Sequence, residues 1–170
     1  TTVHDPQKRP TVLDLVPNNE RLFPVGRLDL NSEGLLLLTN DGTLAYFLTH
    51  PRFGVTKTYE VWVKGKPSTD KLQQLTTGVQ LEDGPARALQ VTLAGNWSQG
   101  SRFKVVMVEG RKREVRRLFQ AIGAPVKRLI RRKLGPLSLG QLPPGQTRPL
   151  TKDEIATLYQ AAGQAPIQPF

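Results

Sequence analysis

An arginine and an aspartate stand two residues apart in Gly26-Arg27-Leu28-Asp29-Leu30-Asn31-Ser32-Glu33-Gly34, directly before Leu35-Leu36-Leu37-Leu38. A carboxylate at the mouth of an apolar segment is costly to desolvate unless it has a partner or a task. Ionised, it supplies a general base or a nucleophile. It serves equally well as a turn cap with Arg27 as its surface neighbour, and the spacing alone leaves both readings open. The four leucines read as a strand from Leu35 to Thr39, buried on both faces. Asn40-Asp41-Gly42 reads as the turn that ends it.

An ionised carboxylate in a dry pocket needs a cation nearby. The net charge of +10 is concentrated where such a cation is expected. Between Arg102 and Lys133 there are twelve Lys or Arg residues and only two acids, Glu109 and Glu114, while the rest of the chain balances twelve against twelve. A segregated basic surface on a neutral body is the footprint of a polyanion binder. A solvated basic helix or a contact with an anionic membrane gives the same count, but no amphipathic helix carries a Trp/Phe edge. Within this window Lys112 to Ile122 has helical spacing, with Val115, Leu118, Phe119 and Ile122 as its apolar stripe and Gly123 as its stop. With Val115 at zero and about 100° per residue, Phe119 falls near 40°, Arg116 near 100°, and Arg113 and Arg117 near 160° and 200°. Arg116 alone of these three borders the buried face. It is either an inward-turning cation or one more phosphate contact.

Several elements must position these groups. Lys57 to Lys64 alternates, with Tyr59, Val61 and Val63 on one face and Thr58, Glu60, Trp62 and Lys64 on the other, as in a half-buried strand. Tyr59 on that face is a core tyrosine whose hydroxyl needs a partner. Thr11 to Val16 reads as a short helix, Val25 to Leu28 as a strand, and Gly42 to His50 as a helix stopped by Pro51. Pro67 to Leu75 is a helix capped by Ser68 and ending near Gly78. Val79 to Glu82 and Arg87 to Leu93 are strands punctuated by Asp83-Gly84-Pro85. Gly95 to Gly100 is expected to be a mobile hairpin loop before a strand from Arg102 to Val108. Val126 to Lys133 is a further strand, of poor alternation. Thr151-Lys152-Asp153-Glu154 is a capping box opening a last helix to about Ala162. Strands interspersed with four helices and joined by antiparallel-type turns predict an α+β fold. The organisation expected is one domain over 1–162 and a loose tail over 163–170.

Composition removes several classes of function. The chain has no cysteine, which excludes disulfides, zinc–thiolate sites and cysteine nucleophiles and suits a cytoplasmic protein. His4 and His50 stand in no metal-ligand spacing, so no metal site is expected. No apolar run approaches the roughly 18 residues of a membrane span. A phosphotransferase using Asp29 lacks a second acidic cluster for magnesium and a glycine-rich phosphate loop.

Gly26-Arg27-Leu28-Asp29-x-x-Ser32-x-Gly34-Leu35-Leu36 resembles the catalytic motif of the pseudouridine synthases of the RsuA/RluB branch, which modify bacterial ribosomal RNA. Lys57-Thr58-Tyr59 is similar to the second motif of that family. Glu109-Gly110-Arg111-Lys112-Arg113-Glu114-Val115-Arg116-Arg117-Leu118 resembles a further block of it. Leu129-Ile130-Arg131, Gly135-Pro136-Leu137 and Leu142-Pro143-Pro144-Gly145 resemble its closing segment. The resemblance covers roughly His4 to Leu158. It implies two α+β lobes around one mixed, mostly antiparallel sheet, with the active site in the cleft between them. It also implies that Asp29 is the catalytic carboxylate, that Arg116 pairs with it, and that Tyr59 stacks on the uracil and moves a proton late in the reaction. Arg27 is linked by it to displacing the target base from its stack.

Arg111, Lys112, Arg113, Arg117, Arg128, Arg131 and Arg132, with Lys127 and Lys133, form a basic band expected to contact RNA, mostly at the backbone. The family reaction is an isomerisation, so no cofactor is expected. The partner implied is ribosomal RNA, most like 23S from the Lys57 strand, the Gly78 to Gly84 turn and the Arg113 to Arg117 helix, with 16S as the alternative. A non-catalytic assembly factor is served by the same basic band, but it gains nothing from an acid facing phosphates. A monomer is expected. Family members usually carry an N-terminal RNA-binding module and open the catalytic domain with an Asn-Lys-Pro-x-Gly strand. Neither occurs in this sequence, so the expectation is of the catalytic domain alone.

Overall fold

A computed structural model describes residues 4–17 and 21–163 of the chain. All but the first residue of the expected tail lies outside the described residues. The fold is α+β, with a mixed and mostly antiparallel sheet. Its centre is β4 (Lys57–Lys64), whose period-2 pattern gives one face to the core: Val61 and Val63 are fully buried. On one side β4 pairs with β8 (Gly100–Met107), which pairs with β7 (Gln90–Trp97). On the other it pairs with β9 (Val126–Leu134), whose far edge carries the short strands β2 (Glu33–Gly34) and β10 (Leu137–Ser138). Only the β2–β9 pairing is parallel among these.

Two apolar cores form. Val61, Val63, Phe103, Val105, Leu118 and Phe119 pack between the sheet and two helices, α2 (Thr69–Thr77) and α3 (Glu114–Ala121). Leu35, Leu37, Leu44, Leu48, Leu134, Leu137 and Leu158 pack the other end of the sheet against α1 (Gly42–Thr49) and α4 (Lys152–Ala161). Two caps are those read from sequence: Ser68 accepts from Lys71 N–H, and Thr151 and Glu154 form a capping box; Asp41, expected only in a turn, also caps α1 by accepting from Leu44 N–H. Asp41 also accepts a short hydrogen bond from the Tyr159 hydroxyl, tying α1 to α4. Burial and the neighbouring Asp41 raise that phenol from its ordinary 10.0 to about 12.

The leucine run is not one strand. Leu35 N–H donates to Arg131 O (2.8 Å) on β9, whereas Leu37 O accepts from Val25 N–H (2.8 Å), so the chain changes partner within two residues. Leu38–Thr39 then forms β3, paired with β1 (Phe23–Pro24). Burial therefore alternates: Leu35 and Leu37 are buried, and Leu36 and Leu38 are half-exposed. Val25 to Leu28 is not a strand either, because β1 ends at Pro24 and the chain turns away at Gly26 (φ 73°). The Gly95 to Gly100 segment is no mobile loop. It is a hairpin with Ser98-Gln99 at its tip, secured by Trp97 Nε1 donating to Val63 O (2.9 Å). The Asp83-Gly84-Pro85 punctuation lies at a second hairpin, between β5 (Val79–Leu81) and β6 (Gly84–Ala86). Helix α3 starts two residues later than its periodicity indicates, because Arg113 takes a left-handed conformation (φ 52°) at the N-cap.

Gly34 is where the fold permits no side chain. Its φ is 115°, and a Cβ would fall on the backbone N, C and O of Arg131. Gly34→Ala is therefore expected to lose at least about 2 kcal/mol and to loosen the β2–β9 pairing, read by denaturant unfolding and by hydrogen exchange at Leu35 N–H. An unchanged midpoint with unchanged protection would contradict it. Tyr159→Phe should cost about 1–2 kcal/mol near neutral pH. The raised phenol pKa means the stabilisation is complete below pH 10 and is lost as pH rises through about 12. The Phe variant should lack that alkaline contribution in stability curves taken from pH 9 to 12.

Candidate active site

Asp29 sits on a tight turn in which Ser32 N–H donates to Asp29 O (3.0 Å). Two elements hold this turn. On its C-terminal side, β2 is pinned against β9 by the side-chain-free approach of Gly34. From α3, Arg116 Nη2 donates to Asn31 O (2.6 Å) and reaches Ser32 Oγ (3.4 Å), and Arg113 Nη1 donates to Asn31 Oδ1 (3.3 Å). Arg116 is buried at the edge of the Val115–Leu118–Phe119 stripe, as its helical angle requires. Burial pulls its guanidinium pKa down, Arg113 acts in the same direction, and the carboxylate of Asp29 opposes both. The resemblance implies an Arg116–Asp29 ion pair. In the structure the guanidinium instead grips the backbone of the Asp29 turn, and among the described residues Asp29 forms no salt bridge.

The Asp29 side chain, half-buried, lines a cleft of about 460 Å³ bounded by its own turn, by β4 and β9 of the sheet, and by the segment that leads into α3. That volume falls in the range of about 300–1,000 Å³ typical of small-ligand sites. The opposite wall is built by β4 and β9. Lys57 and Tyr59 are two apart on β4 and share a face, and Arg131 is the cross-strand neighbour of Tyr59. Arg131 is 4% exposed, and its Nε donates to Leu35 O (2.8 Å). Its Nη2 is buried without a hydrogen-bond partner. Burial raises the Tyr59 phenol pKa, and the Arg131 guanidinium beside it works against that rise. Burial and the same guanidinium lower the Lys57 ammonium pKa, and Lys57 Nζ donates to Val108 O (3.1 Å). A carboxylate thus faces a neutral phenol and a buried guanidinium across a space large enough for a planar ring.

The structure divides the expected basic band. Arg27, Lys112 and Arg113 are exposed at the rim of the cleft. Arg131, expected with the basic band, is buried in the cleft wall because β9 sets this position opposite Tyr59. Four other arginines are engaged by acids. Arg111 contacts Asp83, Glu109 and Glu114; Arg117 forks onto Asp83 (2.6 and 3.1 Å); Arg128 forks onto Glu33 (2.8 and 3.0 Å); and Arg132 bonds Glu60 (2.6 Å). Lys57 was not foreseen, although its place two residues before Tyr59 on an alternating strand is the signal that finds it. The poor alternation of β9 hides the inward face of Arg131. Among the described residues no group of three or more His, Cys, Asp or Glu is placed to hold a metal ion. No helix there is long and apolar enough to cross a membrane.

Asp29 also borders a second cavity, of about 720 Å³, on the other side of its turn. Leu36, Leu38, Ile130, Leu139 and Leu142 give that cavity apolar walls, with Leu30 at its edge and Arg128 and Arg132 on its polar side. The 460 Å³ cleft is the better candidate for chemistry, since Lys57, Tyr59 and Arg131 meet Asp29 there, whereas Arg128 and Arg132 of the second cavity are paired with Glu33 and Glu60.

Comparison with known proteins identifies the family of the chain. The model of the RNA pseudouridylate synthase family matches residues 3–121, which include Asp29, Tyr59 and Arg116. A ribosomal large subunit pseudouridine synthase B of Pasteurella multocida is 44% identical over 165 residues, covering 95% of this chain and 48% of its own. An uncharacterized RNA pseudouridine synthase of Aquifex aeolicus is 42% identical over 159 residues, covering 93% of this chain and 64% of its own. The chain therefore spans about half to two thirds of the length of these relatives. A crystal structure of a pseudouridylate synthase superposes with a TM-score of 0.77 at 31% identity, over 88% of this chain and 65% of that one. The chain belongs to the RNA pseudouridylate synthase family.

Proposed function

We propose that this chain isomerises a uridine of large-subunit ribosomal RNA to pseudouridine, with Asp29 as the catalytic carboxylate. The observation that carries the reading is the convergence of Asp29, Tyr59 and Arg131 on one cleft, in a chain of this family. The large-subunit assignment is supported by the relative of that name from Pasteurella multocida. The target base leaves its stack and enters the cleft, since a duplexed uridine cannot present its ribose and both base edges to one site. Asp29 then acts on the ribose, either by attack at C1′ or by taking the proton from C2′. Both routes break the N1–C1′ bond and leave its electron pair on the uracil. The freed ring rotates and C5 bonds to C1′, displacing the Asp29 carboxylate on the first route or with return of the proton to C2′ on the second; the proton on C5 is then lost while N1 gains one.

Each neighbour has a role in that sequence. Tyr59 stacks on the uracil face, and its raised pKa keeps the phenol protonated and able to donate. Arg131, buried and fixed by Leu35 O, places positive charge where the departing uracil carries negative charge. Arg116 and Arg113 hold the turn that aims Asp29. Arg27 and Lys112, exposed at the rim, meet the RNA backbone.

The test is tritium release from C5-labelled ribosomal RNA prepared from cells lacking the enzyme. Wild-type chain should release tritium, and Asp29→Asn should release none while binding the RNA within about twofold of wild type. Retained turnover in Asp29→Asn would refute the catalytic role. Binding without release by the wild type would favour a non-catalytic ribosomal RNA binder. The salt dependence of binding should separate the basic band into two classes. Lys112→Ala should lower the slope of log K against log salt by about one unit. Arg117→Ala should change the slope by much less, because Asp83 already neutralises Arg117. Equal changes in the two variants would show that the Asp83 pair opens on RNA.

A further inference from the structure

A groove of about 430 Å³ opens beside the cleft. One wall carries Pro51, from the single helical turn Pro51–Phe53 that follows α1. The other carries Pro85 of β6, then Arg87 and Leu89 on the way into β7. Burial alternates along Ala86-Arg87-Ala88-Leu89: both alanines are buried, so Arg87 and Leu89 are left exposed, Leu89 at 59%. Neither wall is loose. Ala88 N–H donates to Leu75 O (2.7 Å) and Leu89 N–H to Val106 O (2.8 Å). Opposite them, Gly54 N–H donates to Pro51 O (3.0 Å), His50 Nδ1 accepts from Arg52 N–H (3.3 Å), and Phe53 packs edge-on against Phe47. Two prolines and a bare leucine thus line a groove whose backbone is already fixed.

The groove is continuous with the cleft. Glu109 lines both, Lys57 Nζ in the cleft donates to the carbonyl of Val108 in the groove (3.1 Å), and Thr49 at the cleft stands two residues before Pro51. Its charge is positive and not cancelled. Arg87 in the groove and Arg52 beside Pro51 form no salt bridge with any described residue, and residues 42–58 contain no acid. Glu109, the one acid in the lining, is paired with Arg111 (3.3 Å). In the 720 Å³ cavity, by contrast, Arg128 and Arg132 are already held by Glu33 and Glu60. Apolar walls with an unpaired guanidinium suit a nucleotide: an unstacked base packs on apolar side chains, and the guanidinium meets its phosphate.

We propose that this groove is a second RNA subsite, which holds a nucleotide adjacent to the target uridine with its base between Pro51 and Leu89 and its phosphate at Arg87. The inference rests on the reaction proposed above, since it is the uridine in the cleft that brings its neighbour to the groove. The subsite touches neither the target ribose nor its base. It contributes to binding and register, so its loss weakens the hold on RNA and leaves the chemical step as it was. The loss also depends on the neighbouring base being present to fill the groove.

The experiment uses the modified uridine, once mapped by tritium release with the wild-type chain, in three synthetic RNAs. One is the intact stem-loop. The others lack a single base, on the 5′ or on the 3′ side of the target. KM and kcat for tritium release are measured for wild type, Leu89→Ser, Leu89→Met and Arg87→Ala. Both side chains are exposed, so the variants are expected to fold, and an unchanged circular dichroism melt checks this. On the intact RNA Leu89→Ser should raise KM about tenfold with kcat within about twofold of wild type, and Leu89→Met should restore KM. One of the two abasic RNAs should raise the wild-type KM by a similar factor, and on that RNA Leu89→Ser should lose nothing more. Arg87→Ala should lower the slope of log K against log salt by about one unit; an unchanged slope would remove the phosphate contact from the proposal. An unchanged KM for Leu89→Ser on the intact RNA would overturn the subsite. The same loss for Leu89→Ser on all three RNAs would overturn it too, by separating Leu89 from any neighbouring base. Absence of tritium release by the wild type is a different failure: it overturns the proposed function and the subsite with it.

Discussion

The structure depends on one close approach, that of the Gly34 backbone to the backbone of Arg131. No side chain fits between them, and the φ of 115° at Gly34 is one that L residues rarely adopt. That contact makes β2 the parallel strand on an otherwise antiparallel sheet. It also puts the carboxylate-bearing turn next to the strand that carries the buried guanidinium. Arg131 uses Nε to fix Leu35 O, so the same residue whose backbone receives Gly34 also fastens the next carbonyl with its side chain. Sequence neighbours of Asp29 and residues about a hundred positions away are joined through roughly one peptide's width of contact.

From that constraint the electrostatics of the cleft follow. An arginine in the sheet interior loses hydration, and its orphaned Nη2 is an unmet polar demand in the wall that faces Asp29. Lys57 on the same face has its pKa lowered by burial first and then by the Arg131 guanidinium, and Tyr59 between them feels both burial and the guanidinium. The cleft therefore holds more positive than negative charge before any substrate arrives. Outside it the excess of basic residues is less available than the net charge of +10 indicates, since Arg111, Arg117, Arg128 and Arg132 are already paired with acids. Those pairs join separate elements, as Arg117 does between α3 and the β5–β6 turn, so part of the basic band is structural.

The α+β class, four helices, the alternating β4 strand and the caps at Ser68 and Thr151 were legible in sequence because each rests on local chemistry: a period of two, a stripe at helical spacing, or a capping side chain three residues from the N–H it accepts from. The inward position of Arg116 was legible for the same reason. What failed was non-local. Four leucines look alike whether they form one buried strand or hand over from β9 to β1, and only the partners of Leu35 N–H and Leu37 O tell these apart. A loop of Gly, Asn, Ser and Gln looks mobile until Trp97 finds Val63 O across the sheet. Arg131 carries the composition of a surface residue, and its burial comes from the register that sets it opposite Tyr59. The family motifs located the candidate site, but they did not show that Arg116 grips the backbone of the Asp29 turn.

That last difference has a physical rationale. A guanidinium forked onto the Asp29 carboxylate would satisfy it, and would leave a less basic, less nucleophilic group. Anchoring the turn by Asn31 O fixes the position of Asp29 without engaging its carboxylate in a salt bridge to any described residue. The cation then acts through geometry in the free protein, and its charge remains within Coulombic reach of Asp29. The same anchor acts together with the close approach of Gly34 to Arg131, so in the proposed reaction the carboxylate is presented to the ribose by a turn whose backbone is held from α3 and from β9 at once.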